Sequence, residues 1–336
     1  MAAGLGTRLR PLTYEVPKPM VPVANRPAVE HLLRLLARQG FGEVVANLHW
    51  FPETISGPLG DGSHLGVDLT FRLEPELTGT AGGVRAVRDF LEADGEPFVV
   101  MAGDALTDVD LQALARAHEA NNGIATLAVK RVTNVSEFGV IVTGSDGRVE
   151  GFQEKPDPAE ALSDLVNSMI YVLDAEVFDY FPDEPMVDFA TDVFPALLSH
   201  DVPFHVHRID EYWNDIGSIE EYVRGNLDAV EGAVHVEPDG ELVEGEADPD
   251  HPGEGGLEAE RAGLPAGTEV GGRVLVGDGV EVGEGVRLDG PVVIGDAARI
   301  GAGARVKQSV LLPGADVPAE AMLVGAIAGA RGRLAG

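Results

Sequence analysis

One pattern between residues 264 and 312 restricts the fold more than any other feature of this chain. Leu264, Val270, Val276, Val282, Leu288, Ile294, Ile300, Val306 and Leu312 recur at every sixth residue. Val274, Val280, Val286, Val292, Ala298, Ala304 and Val310 keep the same step two residues earlier or later, and glycine follows the aliphatic position at Gly271, Gly277, Gly283, Gly295 and Gly301. A helix returns its apolar stripe about every 3.6 residues and a strand alternates at about 2, so neither holds a six-residue period. A parallel β-helix does, because each hexapeptide forms one face of a coil and its aliphatic side chain fills the interior. Residues 264–330 are therefore expected to form a left-handed parallel β-helix.

The preceding residues follow a different rule. From residue 28 to about 230 helical and strand-like segments alternate: "PAVEHLLRLLARQG" is a helix closed by Gly40, "EVVANLH" a strand, "VDLTFRLE" a strand and "GTAGGVRAVRDFLEA" a helix. The apolar run "PFVVMAGD" suits the middle of a parallel sheet. "DVDLQALARAHEANNG" reads as a helix capped by Asp108, with Asp110 in its acidic first turn and Gly123 as its stop. "EFGVIVTGSDGRVEGFQEKP" is a hairpin around an Asp-Gly turn, and "SIEEYVRGNLDAVEG" a closing helix with a serine cap. The expected fold is α/β: a Rossmann-like, mostly parallel sheet with helices on both faces, followed by the β-helix. The expected divisions are residues 1–230, an acidic linker rich in Glu, Asp, Gly and Pro at 231–263, and the β-helix at 264–330.

A net charge of −32 argues against nucleic-acid partners, which need basic patches. No apolar run approaches the roughly 18 residues of a membrane span, and no signal-peptide core precedes the first motif; a cytoplasmic protein is the default expectation. The absence of cysteine excludes disulfides, thiolate catalysis and cysteine-bound zinc. A phosphate site in such an acidic chain must collect scarce cations, and two of its four lysines, Lys18 and Lys155, sit beside proline.

The cations and glycines gather first in "MAAGLGTRLRPLTYEVPKPM". Gly4 and Gly6 leave backbone amides open to an anion, Thr7 adds a hydroxyl and Arg8 a fork for phosphate oxygens, and prolines stiffen the segment presenting Lys18. Asp104 ends "PFVVMAGD" at the carboxyl edge of a strand, where α/β sheets bind ligands, and Asp215 ends "YWND" in the same manner.

These stretches, together with "GTAGG", "MAGDALTDVDL", "EFGVI", "FQEKP", "VNSMIYVL" and "YWNDIGS", occur in the order found in the sugar-1-phosphate nucleotidylyltransferases, which the chain resembles over nearly all of residues 1–230; the wording is closest to the mannose-1-phosphate guanylyltransferase branch. The resemblance implies transfer of a nucleotidyl group from a nucleoside triphosphate to a sugar 1-phosphate, with release of pyrophosphate. It implies that Asp104 and Asp215 hold Mg2+ and that Arg8 and Lys18 stabilise the triphosphate and the developing pyrophosphate. It places Lys155 on the sugar phosphate, Glu154 on sugar hydroxyls, and Gly139 and Asn167 beside them. Backbone around Ala2, Ala3 and Gly4, with Gly79 and Thr80, is expected at the base. A carboxylate at Glu74 could accept from the guanine N1 and N2 donors, which favours GTP with mannose 1-phosphate; thymidylyl or uridylyl transfer to glucose 1-phosphate is the alternative. One position departs from the family pattern: Met169 stands where Asn-x-Gly is usual.

Two other readings compete. Relatives of this architecture include non-catalytic regulators, which would be expected to lose the phosphate and metal residues kept here. Some hexapeptide proteins are acyltransferases using a histidine base, and no histidine lies between Arg261 and Gly336. The β-helix is thus expected to be structural or to make a homo-oligomer. Family members carry a short apolar strand directly before Ala-Ala-Gly, so the strand supporting the phosphate loop is expected upstream of Met1.

Overall fold

The computed structural model describes residues 1–245, 262–330 and 332–335. The chain forms two compact units, one of Met1–Leu5 with Leu32–Trp213 and one of Gly6–His31 with Asn214–Gly336. No helix among the described residues is long and apolar enough to cross a membrane.

In the first unit β1 (Glu43–Leu48) and β2 (Asp68–Leu73) make a parallel pair. The larger sheet contains β3 (Phe98–Met101), β4 (Ala125–Arg131), β5 (Gly139–Thr143), β6 (Val149–Glu154), β7 (Leu165–Leu173) and β8 (His205–Arg208). β8 lies parallel to β4, whereas β7 runs antiparallel to β3, β4 and β5, so this sheet is mixed rather than mostly parallel as expected. The apolar strand Phe98–Met101 owes its continuous run to cover on both faces, not to parallel neighbours. β5 and β6 form the expected hairpin, Gly139 opposite Glu154, with Gly147 at φ +82° in its turn.

Alternation along the strands explains the two layers over this sheet. Phe98, Val100, Leu127, Val129, Tyr171 and Leu173 pack on one side with Ala81 and Val84 of α2 (Thr80–Arg85) and Phe194 and Leu197 of α4 (Phe194–Ser199). Met101, Ala128, Ile170 and Val172 face the other way, against Leu32 and Leu35 of α1 (Ala28–Arg38) and Leu111 and Leu114 of α3 (Leu111–Asn121). Strands covered on both faces read as continuous apolar runs. The cap of α3 corrects one expectation. Asp110, not Asp108, accepts from the Ala113 amide at 2.7 Å, while Asp108 accepts from the Tyr212 amide at 2.9 Å. Asn122 at φ +49°, not Gly123, takes the left-handed position that ends the helix; asparagine tolerates that conformation well.

The second unit is built on the β-helix. Glu269–Gly271, Arg287–Asp289, Arg305–Lys307 and Met322–Val324 stack in parallel as one side. Val274–Val276, Val292–Ile294, Val310–Leu311 and Ile327–Ala328 form a second, and Glu281–Val282, Arg299–Ile300 and Asp316–Val317 a third. The glycine after the aliphatic residue has a stacking cause: a Cβ at Gly283 would stand 2.4 Å from the Ala302 nitrogen of the next coil.

Beyond Val306 the interior departs from the six-residue count. Three residues separate Leu288 from Val292, whereas only Lys307 and Gln308 separate Val306 from Ser309, with Gln308 at φ +46°. The interior series therefore continues through Leu311, Val317 and Leu323 rather than Leu312, and the smaller series through Ser309 rather than Val310. Ser309 is fully buried; its hydroxyl donates to the Lys307 carbonyl at 2.7 Å and accepts from the Ala326 amide at 3.1 Å.

Two segments outside the repeat join this unit. α5 (Ile219–Glu231), capped by the Ser218 hydroxyl, packs on the second side, whose outward residues Leu275, Val293, Val310 and Ile327 are buried. In the expected linker, β9 (Glu241–Gly245) pairs antiparallel with β10 (Glu269–Val276), and its Val243 enters the β-helix core. This stretch is thus a strand; residues 246–261 of the linker lie outside the described residues.

Candidate active site

In the first unit the N-terminal residues run beside the end of β3. Ala2 and Ala3 are buried and Gly4 is exposed. The Met1 nitrogen donates to the Met101 carbonyl at 2.7 Å, and the Gly103 amide donates to the Met1 carbonyl at 2.7 Å. Asp104 follows β3 by three residues.

Glu74 lies deeper than the sequence suggested. It is 4% exposed, and its carboxylate accepts from Asn47 Nδ2 at 2.5 Å and from the Thr78 hydroxyl at 3.0 Å. Asn47 Oδ1 in turn accepts from the Ala2 amide at 2.8 Å. Asn47 escaped the sequence reading; its only signal is a polar residue inside the apolar strand "EVVANLH". The glycines of "GTAGG" serve close packing here. Gly79 has φ +84°, and a Cβ there would stand 2.4 Å from the Val187 carbonyl. A Cβ on Gly83 would meet Asn47 Nδ2 at 2.5 Å and Glu74 Oε1 at 2.6 Å. Thr80 is also held inward, its hydroxyl and amide both donating to Asp188 Oδ1 at 2.8 and 2.9 Å.

The β5–β6 hairpin presents the next group. A Cβ on Gly139 would come 3.3 Å from Glu154 Oε2, so the glycine leaves that carboxylate room. Glu154 and Lys155 are 3.7 Å apart with more than half of each side chain exposed, and Lys155 adopts φ +44°. On β7, Asn167 is buried; its Oδ1 accepts from the Met169 amide at 3.0 Å and from the Tyr171 hydroxyl at 3.0 Å. Met169 sits at φ +60° in a bulge between Asn167 and Tyr171. The position thus has the left-handed backbone that favours glycine, and methionine occupies it at a cost of about 1 kcal/mol.

In the second unit the remaining cations surround Asp215. Gly6 is left-handed at φ +60°, where a Cβ would meet Lys18 Cβ at 2.9 Å, and its carbonyl accepts from the Thr13 hydroxyl at 2.7 Å. Thr7 begins a short 3-10 turn and is exposed. Lys18 is 8% exposed and donates through Nζ to the Asp215 carbonyl at 2.8 Å. Arg8, largely exposed, lies 3.8 Å from Asp215 Oδ2. Asp215 Oδ1 accepts from the Gly217 amide at 3.0 Å. The intervening Ile216 is fully buried at φ +46°, a conformation rare for a β-branched residue.

Asp104 in the first unit and Asp215 in the second each offer hard carboxylate oxygens of the kind magnesium prefers. Among the described residues no three His, Asp or Glu side chains cluster as a metal cage, and magnesium bound with substrate phosphates and water requires only one or two carboxylates. The donor chemistry fits the ion.

The family description "Nucleotidyl transferase" matches residues 1–232, and "GMPPB C-terminal domain" matches residues 267–335. A UTP--glucose-1-phosphate uridylyltransferase of Synechocystis is 38% identical over 68% of this chain and 62% of its own length. A mannose-1-phosphate guanylyltransferase of Mycobacterium tuberculosis is 35% identical over 86% of this chain and 77% of its own. The chain thus spans less than two thirds of the first relative. Among solved structures, a putative glucose-1-phosphate thymidylyltransferase from Bacillus anthracis shares the fold with a TM-score of 0.62, 22% identity and coverage of 70% of this chain and 94% of that one. HddC from Yersinia pseudotuberculosis, complexed with GMP-PN, has a TM-score of 0.57 and 24% identity, covering 67% of this chain and 95% of that one. On the first family match, which takes in well over half of its residues, this chain belongs to the nucleotidyl transferase family.

Proposed function

We propose that this chain transfers a nucleotidyl group from a nucleoside triphosphate to a sugar 1-phosphate, with GTP and mannose 1-phosphate as the leading pair. The observation that carries the reading is the family match over residues 1–232, which takes in Arg8, Lys18, Asp104, Glu154, Lys155 and Asp215. The backbone beside some of these residues adds to it. Of the eleven described non-glycine residues with positive φ, Lys155 and Ile216 adjoin Glu154 and Asp215, and Met169 lies two residues beyond Asn167. Strain of this kind persists where surrounding structure over-determines it, and it clusters at functional sites.

In this reaction a sugar-phosphate oxygen attacks the α-phosphorus and the bond to pyrophosphate breaks, so alignment and charge neutralisation matter more than covalent catalysis. Arg8 and Lys18 act on the triphosphate and the leaving pyrophosphate, Lys155 on the sugar phosphate and Glu154 on sugar hydroxyls. Gly139 and Asn167 shape the sugar side. Backbone at Ala2, Ala3 and Gly4 and the loop at Gly79 and Thr80 receive the base, while Gly6 and Thr7 border the phosphates. Asp104 and Asp215 would supply carboxylate ligands to magnesium, whose charge would offset that of the phosphates. The working enzyme is a cytoplasmic homo-oligomer.

The preference for GTP rests on the mannose-1-phosphate guanylyltransferase relatives. Glu74, its carboxylate oriented by Asn47 and Thr78, is the group that would accept from the guanine N1 and N2 donors. A second reading, UTP with glucose 1-phosphate, is favoured by the Synechocystis relative. Pyrophosphate release measured for GTP, UTP, dTTP, ATP and CTP against both sugar phosphates separates the two. Preference for a pyrimidine nucleotide overturns the first, and no release with any pair overturns the nucleotidyl-transfer reading itself.

A further inference from the structure

We propose that Asp188 is a positioning residue for nucleotide binding, holding the Gly79–Thr80 turn in place through Thr80. The inference rests on the nucleotidyl-transfer reading, which puts that turn at the base, and adds a residue that the motif order did not single out. A helix start leaves its first amides without partners inside the helix. α2 begins directly after Gly79, which has no side chain to cap it. The partners come instead from a segment more than a hundred residues later. Asp188 Oδ1 accepts from the Thr80 amide at 2.9 Å and the Thr80 hydroxyl at 2.8 Å, and the Val187 carbonyl accepts from the Ala81 and Gly82 amides, each at 2.9 Å. The Thr78 carbonyl completes the clasp, accepting from the Val187 amide at 2.8 Å. Only glycine at position 79 lets the two segments come this close, since a Cβ there would strike the Val187 carbonyl.

The Thr80 hydroxyl is fixed by two bonds. It donates to Asp188 and accepts from the Phe189 amide at 3.1 Å, so its proton and one lone pair are both assigned. The Asp188 amide is held in turn by Asp192 Oδ2 at 2.7 Å. One carboxylate oxygen thus sets both the backbone and the side chain of Thr80. The clasp is anchored in the interior at its other end. Phe189 is fully buried and meets the Tyr171 ring edge-on at 5.2 Å, and Phe194 meets the same ring at 5.2 Å. The Tyr171 hydroxyl bonds Asn167, on the sugar side. This ring packing does not depend on the Asp188 carboxylate, so truncating Asp188 frees the Gly79–Thr80 turn and leaves the sugar side in place.

The role requires the acceptor and not the charge. Asp188→Asn keeps a carbonyl oxygen for the Thr80 amide and hydroxyl, whereas Asp188→Ala removes it. Asp188→Ala should raise the nucleotide KM about tenfold while the sugar 1-phosphate KM stays within about twofold. Asp188→Asn should keep the nucleotide KM within about threefold of the unsubstituted chain. Thr80→Val removes the hydroxyl from the same contact, and two residues that act through one contact are not additive. Thr80→Val/Asp188→Ala should therefore have a nucleotide KM within about twofold of Asp188→Ala alone.

The experiment measures steady-state kinetics for both substrates, calorimetric titration with GTP and UTP in magnesium, and thermal melting for the unsubstituted chain, the three single variants and the double variant. A selective rise in nucleotide KM with Asp188→Ala, its near absence with Asp188→Asn and non-additivity with Thr80→Val are the expected results. An unchanged nucleotide KM, or equal movement of both KM values, overturns the proposal. So does equal damage from Asp188→Asn and Asp188→Ala, which would assign the role to the charge, or a double variant whose loss is the product of the two single losses. Where Asp188→Ala does not fold, Thr80→Val decides in its place; it should give a smaller selective rise, and its absence counts against Asp188. The unsubstituted chain keeps the two ideas distinguishable. Nucleotide binding without pyrophosphate release ends the nucleotidyl-transfer reading but leaves the role of Asp188 testable by Kd, whereas no nucleotide binding ends both.

Discussion

The β-helix of the second unit and the strand-end loops of the first hold their residues in place by opposite means. In the β-helix, one kind of contact repeats: Val274, Val292 and Ser309 continue one interior row and Leu288, Val306 and Leu323 another, each touching its neighbours a coil away. Around the strand ends no contact repeats. Asn47, Glu74, Thr78 and Asp188 each make specific hydrogen bonds, and Lys155 and Met169 hold unusual backbone. Repetition distributes stability over many similar contacts, whereas a unique network gives position to a few atoms and loses it when one partner changes.

The largest effects should come from the carboxylates proposed for magnesium. Asp104→Asn or Asp215→Asn should lower pyrophosphate release about a thousandfold, or about 4 kcal/mol, with the melting temperature little changed. Equal loss of melting temperature and activity would mean that these residues are structural and would erase the contrast. Next, Leu288→Ala in the β-helix interior should destabilise the chain by about 3 kcal/mol, read by denaturant unfolding, with the nucleotide KM of the folded fraction unaltered. Met169→Gly removes left-handed strain and also thioether packing beside Tyr171; the net stability change should stay within about 1 kcal/mol, while the sugar 1-phosphate KM moves. The smallest effect belongs to one glycine inserted after Lys307, which should cost less than about 1 kcal/mol because it lengthens an existing corner.

The two regions were also unequally legible. The β-helix could be read because its period is a direct image of its geometry, and even there the count failed at Lys307–Gln308, where a shorter corner keeps side chains inward while shifting their number. The outward burial of Leu275, Val293, Val310 and Ile327 stayed hidden, since nothing in a six-residue period says that α5 covers one side. Motif order revealed which residues deserved interest near the strand ends, but not which way they face. Glu74 and Glu154 both end strands or follow them, yet one is buried among donors and the other exposed beside Lys155. Direction depends on partners distant in sequence, such as Asn47 for Glu74 and Asp188 for Thr80. Asp108 and Asp110 failed similarly: both suit a helix start, and the Tyr212 amide takes Asp108 away from it.

The shortened corner has a consequence for the column as a whole. Strand partners lie 18 residues apart from Glu281 to Arg299, but 17 apart from Arg299 to Asp316 and from Val310 to Ile327. The later turns therefore share one smaller perimeter, and Val324–Gly325 repeats the two-residue corner of Lys307–Gln308. The coil shortens once, from 18 residues to 17, so the two halves of the prism are not interchangeable. A coil copied from the wide half would not seat on the narrow half without altering that corner, so the column can be lengthened only by a segment cut to the perimeter of its neighbours.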